Sequence, residues 1–342
     1  MSYHLDWIEL VCPVCNGELE GGASQEPGAD ASLTCLGCRR VYAVVMGIPD
    51  LRIFPDPYIS ALGDQMKGLM LAAQFEQVDL LGMARTYYHV TPETPTADVE
   101  RSIVRLANAE RRAHATVVAW DNLFGRLEGG AMLEVGCGTA PLLLATRSRY
   151  PHQIGVDVSF RWLVMAKRRL ADAGVSVPLV AACGEALPFR AGTFDAVTMD
   201  SFLEITKDQD AAVKEAARVL LPGGRLVIAT PNRWSMGPDP HIGVPAGGFL
   251  PNAVVNAIAK QRMARPPFRR LLTARALRRK LGTAGLQPAR VGLAPVSEAQ
   301  LSAVGALGRL AGGWYNRLRT VPVLRQMLLV IGPMLQADAR KT

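Results

Sequence analysis

The stretch from Ala131 to Pro141 constrains this chain more than any other. A short apolar run, Ala131 to Val135, meets Gly136-Cys137-Gly138, and Pro141 then opens a helix-compatible segment. Glycines at a strand-to-helix turn let the backbone bend sharply and let a ligand approach the main chain closely. The free N–H groups at the start of the helix favour an anionic group such as a carboxylate. The third glycine of a dinucleotide-binding loop is missing, because Pro141 stands in its place, and this points away from NAD.

Beyond Pro141 the chain has the rhythm of strand and helix in alternation. Strands are expected at 153–158, 177–181, 194–199 and 225–230. Helices are expected at 160–173 and at 208–220, the latter ending at Pro222-Gly-Gly224. Such alternation implies an α/β fold with a parallel sheet covered on both faces. Asp157 ends the second strand about twenty residues beyond the glycine loop, where a carboxylate binds ribose in such units. A helix at 274–284 and strands at 287–293 and 333–339 complete the pattern, with insertions at about 232–272 and 295–330. Upstream, residues 58–126 read as helical with a break at Thr91 to Pro95. The second stretch, 97–124, carries Ile103, Leu106, Val117 and Trp120 on one apolar stripe.

From about Ala131 to Lys341 the sequence resembles the class I SAM-dependent methyltransferases (SAM, S-adenosyl-L-methionine), of the type 11-like kind. The resemblance is carried by Leu133 to Ala140, by Asp157, by Cys183-Gly184-Glu185-Ala186-Leu187-Pro188-Phe189, by Phe194-Asp195, by Leu203-Glu204 and by the turn Arg218 to Gly224. It implies a seven-stranded, mostly parallel Rossmann-like sheet. It also implies a SAM site formed by Glu134, Gly136, Cys137, Gly138, Asp157, Val158, Cys183, Gly184, Glu185, Asp200 and Ser201. Tyr88, with Tyr87, is a candidate to close over the cofactor from the upstream helices. Two positions depart from the family. Cys183 stands where an Asp commonly bonds the adenine amine, so the backbone or Glu185 must serve. Ile205 stands where His often follows Leu-Glu.

Six cysteines are present, and four form two pairs, Cys12-Pro-Val-Cys15 and Cys35-Leu-Gly-Cys38. Each pair makes a tight turn offering two thiolates, and the two together make a closed tetrahedral site suited to structural zinc. With Tyr42 and Gly47-Ile48-Pro49, the first 55 residues resemble the small zinc-ribbon family that activates methyltransferases as a separate subunit. A similar ribbon precedes the catalytic domain of ribosomal RNA guanine-N1 methyltransferases. The expected division is a ribbon at 1–54, a helical linker or lid at 55–126 and a methyltransferase domain at 127–342.

The formal charge of +8 is unevenly spread: from Pro240 to Gln336 one acid, Glu298, stands against fourteen Lys and Arg. Such asymmetry marks a surface meeting something anionic. Apolar and basic residues interleave over 252–281, as on a helix lying on an anionic membrane. Aromatics for stacking on RNA are sparse there, so RNA ranks below a small-molecule or lipid-linked acceptor. His241, beyond the fifth strand, is the candidate general base for an alcohol or phenol acceptor. A catalytically silent SAM-binding partner is the third alternative. The first ten residues lack an apolar signal core and no apolar run is long enough to span a bilayer. A cytoplasmic protein is expected, peripheral to the inner face of the membrane if the basic segment binds lipid.

Overall fold

The computed structural model describes residues 3–24, 28–91, 96–237, 243–244, 246–262, 269–296 and 305–342. The chain begins with a hairpin, β1 (His4–Leu5) and β2 (Ile8–Glu9). A four-stranded antiparallel sheet comes after it: β3 (Leu19–Gly22), β4 (Ala31–Cys35), β5 (Val41–Val45) and β6 (Ile48–Pro49). Four helices come next: α1 (Ala61–Ala72), α2 (Leu80–His89), α3 (Thr96–Ala107) and α4 (Ala109–Phe124). The helix expected over 97–124 is thus two. They part at Asn108, whose side-chain amide donates to Val104 O at 2.8 Å and competes with the helical ladder.

The rest is built on one large sheet. Its strands are β7 (Ala131–Val135), β8 (His152–Asp157), β9 (Leu179–Ala181), β10 (Phe194–Asp200), β11 (Leu220–Pro231), β12 (Arg290–Leu293) and β13 (Met334–Arg340), lying in the order β12-β13-β11-β10-β7-β8-β9. Only β13 runs against its neighbours. The expected seven-stranded, mostly parallel sheet is therefore what the sequence forms. Its helices are α5 (Pro141–Thr146), α6 (Phe160–Asp172), α7 (Gln209–Val219), α8 (Asn252–Arg262), α9 (Ala274–Thr283), α10 (Ala306–Leu318) and α11 (Pro322–Ile331). Strand β12 is shorter than expected, since Pro288 has no N–H to give a ladder.

The central strand β7 lies between β8, reached next in the chain, and β10, reached after the direction of winding reverses. In an open α/β sheet, a ligand crevice forms at such a reversal, beyond the carboxyl ends of the strands. The sheet reads as near-continuous buried apolar runs because both faces are covered: Leu133, Val135, Ile154, Val156, Val197, Met199, Leu226 and Ile228 are all inaccessible.

The cysteine-bearing sheet is not a separate lobe. Leu10, Leu19, Leu33, Val44 and Leu51 belong to the same apolar cluster as Leu133, Val156, Phe189 and Phe194. The backbone N–H of Leu51 donates to Ala181 O at 2.8 Å, beside a parallel bridge from Asp50 to Ala181, so the chain leaving β6 docks on the free edge of β9. Val11 N donates to Pro188 O at 3.0 Å, and Arg190 makes a bidentate pair with Glu9. Among the described residues, no helix is long and apolar enough to cross a membrane.

The helix expected at 274–284 forms, and a further helix precedes it in the segment 252–281. Its described parts are α8 and α9, with Leu272 bridging to Asn232 between them. On α9 the apolar residues Leu277 and Leu281 are wholly buried in the main core. The exposed arginines there, Arg275, Arg278 and Arg279, are the solvated side of a core-packed helix.

Candidate functional site: a carboxylate-rich crevice and a four-sulfur cluster

The glycine loop leaves β7 as the spacing predicts. Gly136 and Gly138 take φ of 76° and 52°, and Ala140 takes the left-handed φ of 60° just before α5. The N–H groups of Gly136 and Cys137 both donate to Val156 O, at 2.8 and 3.0 Å, binding the loop to β8. Asp157 accepts from Gly138 N at 2.9 Å with one oxygen and from Ser159 N at 2.8 Å with the other. Asp157 thus sits at the loop, as expected of a ribose-side acid.

Three carboxylates meet at this edge of the sheet: Glu134 on β7, Asp157 ending β8 and Asp200 ending β10. Glu134 is 3% exposed, and its Oε2 has no hydrogen-bond partner among the described residues. Burial, then the charges of Asp200 and Asp157, push its pKa well above the carboxylate range. Burial also raises Asp157, against the N–H bonds from Ser159 and Gly138. Asp200 is pushed up to about 6, first by burial and then by the charge of Glu204. A buried carboxylate oxygen left unpaired among like charges is costly. A crevice of this kind favours a cation and repels a pyrophosphate.

The aromatic ring of Phe202 lies over the loop. A Cβ added to Gly136 would come within 2.7 Å of this ring, and one added to Gly184 within 2.4 Å. Both glycines therefore lie flat against Phe202, which bridges the glycine loop and the loop after β9. Ser201 before it takes φ of 57°. Neither Phe202 nor its contact was marked by any motif.

The remaining candidates fall in two groups. Val158, Cys183 and Gly184 lie at the same edge, with the Val158 carbonyl accepting from Arg52 at 3.0 Å and Cys183 Sγ 3.5 Å from Phe54 O. Burial raises the Cys183 thiol to about 11. Glu185 is already engaged: its carboxylate takes the Thr206 hydroxyl and the N–H groups of Lys207 (2.9 Å) and Asp208 (3.3 Å), ordering the entry to α7. Of the two tyrosines, Tyr87 reaches the site region, accepting from Arg161 Nε at 3.3 Å, while Tyr88 packs edge-on against it at 5.1 Å. His241 lies outside the described residues.

Behind the crevice stands an ion cluster with no sequence signature. Asp64 of α1 accepts from the N–H groups of Phe160 at 2.7 Å and Arg161 at 3.3 Å, and from the guanidinium groups of Arg161 and Arg52, each at 2.6 Å. Asp56 takes the Ser159 hydroxyl and Arg161 at 3.0 Å. These side chains are buried, the Asp64 side chain completely. Burial works against the Arg161 charge, but Asp56 and Asp64 hold it above its ordinary range. The cluster fixes the start of α6, hence Asp157, to the segment arriving from the four-stranded sheet.

Cys12, Cys15, Cys35 and Cys38 bring their sulfurs within 4.8 Å of one another. Cys12 to Cys38 is 3.7 Å and Cys15 to Cys35 is 3.4 Å. Zn–S bonds of about 2.3 Å in a tetrahedron require sulfurs about 3.8 Å apart, so the donor set fits zinc with all positions filled. Left-handed Asn16 and Arg39 close the two turns. The Tyr42 hydroxyl, 3.2 Å from Cys12 Sγ, is placed to donate to a thiolate.

Residues 133–228 match the family of the methyltransferase domain. The match takes in the glycine loop, Asp157 and β10. Over 99 residues, 28% of this chain and 45% of the relative, it is 37% identical to demethylmenaquinone methyltransferase of Thermus thermophilus. Over 118 residues, 34% of this chain and 50% of the relative, it is 36% identical to the ubiquinone biosynthesis O-methyltransferase of Paraburkholderia xenovorans. The chain spans about half the length of the curated relatives it matches. In structure the chain is similar to phosphoethanolamine N-methyltransferase 2 of Haemonchus contortus, with 15% identity, 67% of this chain and 52% of that chain covered, and a TM-score of 0.44.

Proposed function

We propose that the protein transfers a methyl group from S-adenosyl-L-methionine to a hydroxyl of a small-molecule or lipid-linked acceptor. The observation that carries the reading is Glu134: a buried carboxylate with an unpaired oxygen, crowded by Asp157 and Asp200 at the mouth of a glycine loop. A ligand with a sulfonium and an ammonium relieves that crowding, whereas a dinucleotide adds negative charge to it. When bound, SAM supplies the electrophilic methyl group. The chain's own residues do the rest. Asp157 orients the ribose, the N–H groups of the glycine loop receive the carboxylate, and Glu134 with Asp200 balances the positive charge. Cys183 offers no strong acceptor and Glu185 is engaged, so the adenine amine falls to backbone carbonyls of that loop.

The matched relatives named for quinone methylation support a small-molecule acceptor. An acceptor hydroxyl gives up its proton only to a base. Asp200, a carboxylate at the exit of β10, is a candidate for that role on its position. The reading divides the chain into a zinc ribbon (1–54), a helical cover (55–126) and the methyltransferase domain (127–342). In the test, purified protein is incubated with methyl-labelled SAM and hydroxylated quinone precursors, alongside ribosomal RNA. Label in the organic phase supports the reading. Label in RNA alone, or none with any acceptor while SAM binds, overturns it.

A further inference from the structure

The helical hairpin α10–α11 has an inner face that is held and an outer face that is not. Inside, the Tyr315 hydroxyl donates to Ala294 O at 2.9 Å, and Asn316 exchanges two bonds with the Val296 backbone, at 2.8 and 2.9 Å. Leu329 is buried against the main core. Outside, Leu310 and Trp314 stand one turn apart on α10, and Val323, Met327 and Val330 make a stripe along α11. Val323 is 73% exposed, Met327 64% and Trp314 54%. Met236, 61% exposed, adjoins this stripe, its N–H reaching Ile331 O at 3.4 Å.

The position of the patch matters. Asn232 at the end of β11 donates to Leu329 O and Val330 O, at 3.1 and 2.9 Å. The hairpin therefore hangs from the carboxyl edge of the sheet, the same edge at which the glycine loop and Asp200 lie. The charge matters too. Between Glu298 and Asp338 the sequence has no acid, while Arg309, Arg317 and Arg325 are exposed on the hairpin and Arg319 turns inward to Leu293 O, 3.4 Å away. Arg317 lies over the Trp314 ring, 5.9 Å from its centroid.

We infer that the outer face of α10–α11 docks the protein on an anionic lipid membrane and turns the acceptor edge of the sheet towards it. Apolar side chains on one face with arginines and no acids are what an interfacial element needs. A second copy of the chain fits poorly, because a twofold contact would set these arginines against their own kind. RNA fits poorly as well, because the exposed stripe is aliphatic and Trp314 is its one aromatic. The face differs from the expected segment 252–281, whose apolar residues on α9 belong to the core. The inference rests on the proposed function only for the route by which a lipophilic acceptor arrives, so docking is measured without SAM or acceptor.

The experiment is co-sedimentation of the full zinc-loaded chain with vesicles of phosphatidylcholine alone and of phosphatidylcholine with phosphatidylglycerol. The expected result is binding to the anionic vesicles only, weakened by salt, with Trp314 fluorescence quenched by brominated lipid and the quenching lost in Trp314→Phe. Val323→Ser with Met327→Ser, both at exposed sites, should lower partition about tenfold or more while leaving the thermal midpoint and SAM binding unchanged. Arg278→Gln with Arg279→Gln on α9 should have a smaller effect. Equal binding to both vesicle types, loss of binding through the α9 pair alone, or the hairpin stripe protected instead by dimerisation or by RNA would overturn the inference. Docking without methyl transfer would leave it standing while the proposed function fails.

Discussion

Asp64 accepts the backbone N–H of Phe160 at 2.7 Å, so a side chain on α1 caps the helix that begins three residues after Asp157. The same carboxylate joins Arg52 and Arg161, both nearly inaccessible. Removing it leaves two buried guanidinium groups short of a partner. Asp64→Ala should destabilise the fold by about 3–5 kcal/mol and weaken SAM binding, because Asp157 lies just before the start of α6. Urea titration and calorimetry check the two effects. A loss of stability below about 1 kcal/mol would mean that the cluster does not hold α6.

The ribbon and the methyltransferase sheet share one apolar core, so zinc and catalytic fold should be lost together. Cys35→Ser, or a strong chelator, should lower the midpoint of the whole chain in one transition. Near-ultraviolet circular dichroism and zinc release should coincide during heating. Two separate transitions would show that the ribbon is merely tethered.

Glu134→Gln isolates the crowded carboxylate. A carboxyl whose pKa is raised in the fold, as burial and the charges of Asp200 and Asp157 raise that of Glu134, binds more protons folded than unfolded between its ordinary and its raised value. Stability therefore falls as pH rises through that interval. The variant lacks this loss, so its midpoint should exceed that of the parent by a margin that grows from pH 5 to pH 8. SAM affinity should fall by about 1–3 kcal/mol, because the cation loses its buried partner. A margin that shrinks with pH would contradict the assignment.

Gly184→Ala puts a methyl into the Phe202 ring and should destabilise by about 1–3 kcal/mol. In a Phe202→Ala background the same change should cost much less. A double-mutant cycle reads this coupling, and additive effects would show that the ring moves aside freely.

These cases also mark what the sequence discloses. Gly136, Gly138 and Asp157 are legible because a tight turn and a strand-end acid leave a spacing that local rules recognise. The cysteine pairs are legible for the same reason, since each knuckle is local. The Asp64–Arg161 contact is not, because its partners lie 97 residues apart and no periodicity marks a buried charge. Asn108 splits a helix that the apolar stripe alone reads as continuous. Interleaved Leu and Arg over 252–281 describe a core-packed helix as well as a membrane-bound one. Only tertiary packing separates the two: it buries Leu277 and exposes Met327. One Glu185 carboxylate oxygen holds the α7 entry through backbone N–H groups that no motif reveals.

The most direct test of the central claim is calorimetric titration with SAM near pH 6, in buffers of different ionisation enthalpy. A cation entering among Glu134, Asp157 and Asp200 must lower their raised pKa values and release protons. The account predicts one site per chain, net proton release on binding SAM, and less release with S-adenosylhomocysteine, which lacks the sulfonium charge. No binding of SAM, or preferential binding of NADH, would contradict it.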